Sequence, residues 1–192
     1  LVEILSRLFK ESDSSEIGKI CYLIQGRVAP FFEPVEIGMA EMTVAQAVGR
    51  AFGKSKDEVI KLYRRKGNMA LAASELATKV KRGQKHSRSV IKATSGFHWG
   101  SGADISEVFE KLLKIAKFSG VGTVEQKVGT LAELLKKLDP VSVKHVVNIP
   151  LGTLRLGIGD PTVLDALSLA KTGKKDLRPI IEDAYNKTSD LG

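Results

Sequence analysis

The sequence contains a single cysteine and only three histidines, and each scarcity removes a class of function. Cys21 cannot form an intramolecular disulfide. Set in an apolar run, it reads as a small buried hydrophobe in a reducing compartment. His86, His98 and His145 are scattered along the chain, which leaves no metal-ligand spacing and no nucleophile-base constellation. No stretch of about 18 or more consecutive apolar residues offers a membrane span. A secretory signal is not evident, and a chain that opens on Leu1 in place of Met is expected to be a fragment. Convincing runs of alternating β-branched residues are missing too, so no strand is predicted.

What is present is 43% hydrophobic residues over 192 positions, enough to bury a core in one domain or two small subdomains. Residues 1–75 hold 11 basic against 10 acidic side chains, and residues 104–192 hold 13 against 12. The net charge of +8 is concentrated in between, where Lys79, Lys81, Arg82, Lys85, Arg88 and Lys92 stand without a carboxylate over residues 76–103. Such a segment is attracted to polyanions, with affinity gained through counterion release. A solvated linker with no partner is the alternative.

Helical periodicity covers nearly the whole chain. Leu131, Leu134, Leu135 and Leu138 recur at i, i+3, i+4 and i+7, as do Ile105, Val108, Phe109 and Leu112. Similar patterns predict helices over about 1–10, 15–25, 43–53, 56–66, 69–81, 141–149, 161–171 and 175–188. The segment Pro30-Phe31-Phe32-Glu33-Pro34 reads as an extended connection, with its aromatics as packing groups rather than base-stacking platforms.

The chain also repeats itself. Leu8-Phe9-Lys10-Glu11-Ser12-Asp13 matches Leu134-Leu135-Lys136-Lys137-Leu138-Asp139, and Gly26 falls on Gly152. Residues 38–47 fall on 157–166, Lys56-Asp57 on Lys175-Asp176, and Tyr63 with residues 67–70 on Tyr185 with residues 189–192. A single duplication at this long spacing predicts two paired lobes and not a solenoid. The predicted organisation is a half over 1–81, a basic connector over 82–103 and a half over 104–192.

Residues 149–170 carry the strongest functional signal. Gly152, Gly157 and Gly159 have no side chains to hold a ligand away, and Arg155 offers a planar fork of donors suited to phosphate oxygens. Asp160 and Pro161 read as N-cap and first helical residue, with Val163, Leu164, Leu167 and Ala170 as the buried stripe. A second phosphate-binding candidate spans residues 119–127. There Gly120 and Gly122 precede Thr123 and Gln126, which fit a capping box, and Lys127 is expected in the first turn. A tight helix-to-helix connection that binds nothing is the competing reading of either loop.

The run Gly152-Thr153-Leu154-Arg155-Leu156-Gly157-Ile158-Gly159, followed by residues 162–167, resembles the signature of the N-terminal DNA-binding domain of ATP-dependent DNA ligases, especially archaeal ones. Residues 22–40, 62–70, 115–127 with its Ser-Gly-x-Gly-Thr loop, and 184–192 resemble further segments of that domain in the family's order. The resemblance implies an all-α domain of two pseudo-symmetric multi-helix halves that holds nicked double-stranded DNA through minor-groove sugar-phosphate contacts. It further implies a monomeric, cytoplasmic, nucleoid-associated parent enzyme that seals nicks in replication, repair and recombination. Carried over onto this sequence, the DNA-contacting positions are Gly120, Gly122, Thr123, Lys127, Gly152, Arg155, Gly157 and Gly159.

The chemistry of that family is not in this chain. Ligation there uses a lysine in a Lys-x-Asp-Gly motif to take up AMP, then transfer to the 5′ phosphate and attack by the 3′ hydroxyl with Mg²⁺. No Lys-x-Asp-Gly occurs here. Lys56-Asp57 and Lys175-Asp176 lack the spacing and lie on predicted helices as surface charges. The nucleotidyltransferase and OB-fold domains are therefore expected to lie outside this chain, along with any need for ATP and Mg. No catalytic residue, metal ligand or cofactor is expected within it. Archaeal relatives often carry a sliding-clamp-binding peptide in the connector, of the form Gln-x-x-hydrophobic-x-x-aromatic-aromatic. Phe97 and Trp99 offer the anchors here without the glutamine, or else close the seam between the halves. Two other readings remain at this point: a stand-alone helical protein-interaction module with a basic connector, and a helix-hairpin-helix DNA glycosylase.

Overall fold

A computed structural model describes residues 1–83 and 102–192, and every regular element among them is an α-helix. In chain order these are α1 (Val2–Glu11), α2 (Ser14–Ile24), α3 (Glu41–Phe52), α4 (Lys56–Lys66), α5 (Met69–Gly83), α6 (Ile105–Lys117), α7 (Thr123–Lys137), α8 (Pro140–Asn148), α9 (Asp160–Thr172) and α10 (Arg178–Thr188). The all-α expectation is met, and most predicted helix limits fall within two residues of those observed.

Local chemistry sets most of the boundaries. Asp13 caps α2 by accepting from the Ser15 amide at 2.9 Å, and Asp139 caps α8 by accepting from Val141 and Ser142 at 2.8 and 3.1 Å. At α4, Ser55 and Glu58 form a reciprocal capping box. Caps of this kind are worth about 1 kcal/mol each because they satisfy amides that the helix leaves unpaired. One predicted limit moves: α10 starts at Arg178 and not at 175. Lys175 and Asp176 therefore lie in the turn between α9 and α10, where Lys175 pairs with Asp165 and Asp176 accepts from the Thr172 hydroxyl.

The repeat reappears as local structure at matched positions. Asp13 and Asp139 cap equivalent helices. Gly26 and Gly152 take left-handed φ of 74° and 64°, and Gly67 and Ser189 end α4 and α10 in the same conformation. Tyr63 donates to Glu41 at 3.0 Å while its counterpart Tyr185 donates to Asp160 at 2.6 Å. In each case a tyrosine holds the carboxylate at the start of a preceding helix.

These related halves pack crosswise against each other. Helix α1 lies on α9, α2 on α6, α3 on α7 and α5 on α8, so each of these pairings joins the first half to the second. One hydrophobic cluster runs through them all. Val44, Val48, Leu112, Ile115, Leu131, Leu134, Leu135 and Leu138 are fully enclosed there, as the periodicity predicts. Cys21 is buried as expected, and burial, with Asp190 adding to it, pushes its thiol up to about 12. The crosswise packing fixes where the connecting turns emerge.

Candidate nucleic-acid interface

Between α8 and α9 the chain makes an exposed turn that holds Gly152, Arg155, Gly157 and Gly159 together. Gly152 and Thr153 donate their amides back to Ile149 and Asn148, closing the end of α8. From residue 154 to residue 160 no amide has an acceptor among the described residues. An exposed run of unpaired amides bonds water or a ligand, since backbone donors do not go unsatisfied. Gly157 sits at φ 66°, where a side chain would be strained, and a Cβ there would point into open space. Arg155 is exposed and has no carboxylate partner among the described residues.

One expectation at this turn is corrected. Gly159, not Asp160, is the N-cap of α9; Asp160 is the first helical residue and Pro161 the second, with no side-chain cap. The reason is tertiary: the Asp160 carboxylate accepts from Gln25 at 2.7 Å and from Tyr185 at 2.6 Å. Those bonds turn it away from the amides of its own helix end. The same hydrogen bond, with burial adding to it, raises the Tyr185 hydroxyl above the ordinary tyrosine range.

The second loop is also open. Gly120 and Gly122 are exposed and left-handed at φ 89° and 81°, with nothing near a Cβ at either. Here the capping-box expectation fails. Gly122 is the N-cap of α7, Thr123 already lies inside the helix, and no side chain caps it. A left-handed residue at this position favours glycine, so the backbone turn itself starts the helix and leaves its first amides free. Lys127, half-buried, stands one residue beyond the first turn. Glu125, within that turn, is held by Arg50 of α3, which neutralises it. Helix α3 relates the two loops. Its N-terminal end adjoins the first, through the Met39 amide donating to Pro150 at 2.8 Å, and its last turn meets the second through Arg50. Helix α3, twelve residues and about 18 Å long, runs between the two contacts.

A groove of about 860 Å³ borders the first turn, lined by Arg155, Gly157 and Gly159 on one wall and by Arg27, Pro30 and Phe31 on another. Sequence reasoning missed the second wall. Pro30 accepts from the Glu33 amide, so Phe31 and Phe32 stand at the tip of a tight turn and not in an extended connection. They are 79% and 61% exposed, which overturns their assignment as packing groups. The Arg27 guanidinium lies 4.2 Å from the Phe31 ring centroid, a cation-π contact. Tyr22 and Asp190 also line the groove and are joined by a 2.6 Å hydrogen bond, and burial, followed by that bond, pushes the Tyr22 hydroxyl well up. The available signal was the repeat itself: residues 26–38 between the paired glycines are longer than residues 152–157, and the surplus carries both aromatics.

The connector positions Phe97 and Trp99, and the basic side chains of Arg82, Lys85, Arg88 and Lys92, lie outside the described residues. The glutamine-containing spacing they lack occurs at Gln25-x-x-Val28-x-x-Phe31-Phe32, but Val28 is 3% exposed and Gln25 is committed to Asp160. That segment is built into the fold. Among the described residues no group of three or more His, Cys, Asp or Glu is placed to hold a metal ion, and no helix is long and apolar enough to cross a membrane.

Comparison with known proteins places these turns in a family. Residues 1–168 match the family model described as DNA ligase N terminus. Over its whole length the chain is 42% identical to a probable DNA ligase of Dictyoglomus turgidum, spanning 30% of that protein. It is likewise 37% identical to DNA ligase 2 of Thermofilum pendens and 35% identical to a DNA ligase of Acidianus ambivalens, spanning 31% of each. The chain thus corresponds to under a third of these relatives' length, and it belongs to the DNA ligase N-terminus family.

Proposed function

We propose that this chain is the DNA-binding part of an ATP-dependent DNA ligase and that it grips nicked duplex DNA by the sugar-phosphate rails of the minor groove. The observation that carries this reading is the run of amides over residues 154–160, around Arg155, that have no partner among the described residues. Amides and a guanidinium together form a phosphate site that needs no base-specific donor. Gly120, Gly122, Thr123 and Lys127 supply a second contact, at the other end of α3. The connector adds sequence-independent charge, and the protein acts as a monomer in the cytoplasm, on the nucleoid.

Binding of nicked duplex measured across salt concentrations tests the contact. Log affinity is expected to fall with log salt by about 0.9 for each phosphate held. Arg155→Ala should shallow that slope by about 0.9 and weaken binding to every sequence alike; an Arg155→Ala chain that binds like the parent overturns the assignment. Sealing belongs to the parent enzyme, with ATP and Mg²⁺ used by domains outside this chain. Incubation with radiolabelled ATP and magnesium should leave the chain unlabelled, and a stable adenylate would contradict this division of labour. Phe97 and Trp99 in the connector either bind a sliding clamp or close the seam between the halves, and clamp retention left unchanged by Phe97→Ala and Trp99→Ala would remove the first reading.

A further inference from the structure

We infer that Phe31, held by Arg27, is a second nucleotide-contacting element, packing its ring on deoxyribose and base edges of the strand that Arg155 holds by its phosphates; this rests on the phosphate reading of the 152–159 turn. The two turns of the repeat lie side by side. Met39 donates to Pro150 across them at 2.8 Å, and a Cβ on Gly26 would stand 3.5 Å from Leu154. The groove between them therefore has an anion-binding wall and an aromatic one. A phenylalanine that is 79% exposed at the tip of a turn has no role in the core. It is held nonetheless: Pro30 sets the turn, and the guanidinium at 4.2 Å favours one face of the ring and leaves the other open.

The occupant follows from what the walls offer together. Arg27 and Arg155 both line the groove and supply positive charge, and neither is paired with a carboxylate among the described residues. Asp160 and Asp190, the two acids of the groove, are each engaged by a tyrosine hydroxyl. A ligand that meets both walls must carry phosphates beside an apolar surface, as a nucleic-acid strand does on its minor-groove side. Apolar side chains inserted from that side pack on sugars and between base steps. The second glycine loop repeats the combination, with Val121 fully exposed beside Gly120 and Gly122.

The test is equilibrium binding of a nicked duplex by the 192-residue chain at several salt concentrations, for Phe31→Ala, Phe31→Trp and Arg155→Ala. Phe31→Ala should bind about tenfold more weakly with an unchanged salt slope, because no phosphate contact is lost, and Phe31→Trp should recover most of the loss. Arg155→Ala should shallow the slope. If Phe31→Ala binds like the parent while Arg155→Ala weakens, the aromatic contact is refuted and the phosphate turn stands. If Arg155→Ala also binds like the parent, both readings fall. Should Phe31→Ala lose retention on a sliding clamp while keeping its DNA affinity, the ring serves a protein partner and the inference is overturned. Because the side chain is exposed, the variants are expected to keep the parent's helical circular dichroism and melting temperature.

Discussion

The Asp160 carboxylate stands at the start of α9, where an aspartate ordinarily turns back to cap the helix, yet it accepts instead from Gln25 and Tyr185. That choice keeps the amides of residues 158–160 open to an anion. Removing the hydroxyl in Tyr185→Phe should cost about 1 kcal/mol of stability for the lost hydrogen bond, read from denaturant midpoints. It should also weaken binding of nicked DNA without touching the ligand, since a released carboxylate swings onto the helix-end amides and competes with phosphate. Unchanged affinity would show that Asp160 stays in place on Gln25 alone. In the sequence, Asp160-Pro161 was legible as a helix start but displaced by one residue. The partners that draw the side chain away lie as far as 135 positions off in the chain. Phe31 was misread for a related reason: proline spacing reports backbone preference, whereas exposure is set by what the rest of the fold leaves uncovered.

Helices were the most legible level, because a buried stripe at 3.6-residue spacing is written directly in the residue order. Their starts were less so, since Thr123 with Gln126 fits a capping box as well as Ser55 with Glu58 does. Only a left-handed backbone at Gly122 makes the first pair differ from the second. The junction of α4 and α5 has a measurable electrostatic signature. Glu75 accepts from Lys66 and Lys79, each at 2.7 Å, and those bonds depress its carboxyl from 4.5 to about 2. A depressed carboxylate contributes stability that is whole above its unfolded value of 4.5 and is lost as pH falls toward about 2. Melting temperatures across that window should therefore drop less steeply for Glu75→Gln than for the parent. Parallel curves would mean the two lysines contribute nothing at this half-buried carboxylate.

At the scale of the molecule, the two halves that the repeat predicts pack crosswise against each other. Helices α1, α2, α3 and α5 each lie against a helix of the second half, and the core residues form one cluster. A chain cut to residues 1–83 should thus lose most of its helical circular dichroism, as its apolar faces would have no cover and isolated helices of this length are marginal in water. A cooperative melt from that piece would show that the halves fold independently. The interleaving matters for the proposed DNA contact because α3 adjoins one glycine loop near each of its ends. Their separation becomes a property of a rigid helix and not of a flexible hinge.

Helical character, the duplicated pattern, the enclosed leucines and the two glycine turns were determined by the sequence alone. Each depends on near neighbours: the period of apolar residues, the backbone freedom of glycine, the caps that follow a turn. Only the tertiary structure decided that Asp160 faces Tyr185, that Phe31 stands exposed under Arg27 beside the arginine turn, and that the halves cross. Those outcomes depend on which distant surfaces meet when the core closes, and packing of that kind leaves no local pattern in the order of residues.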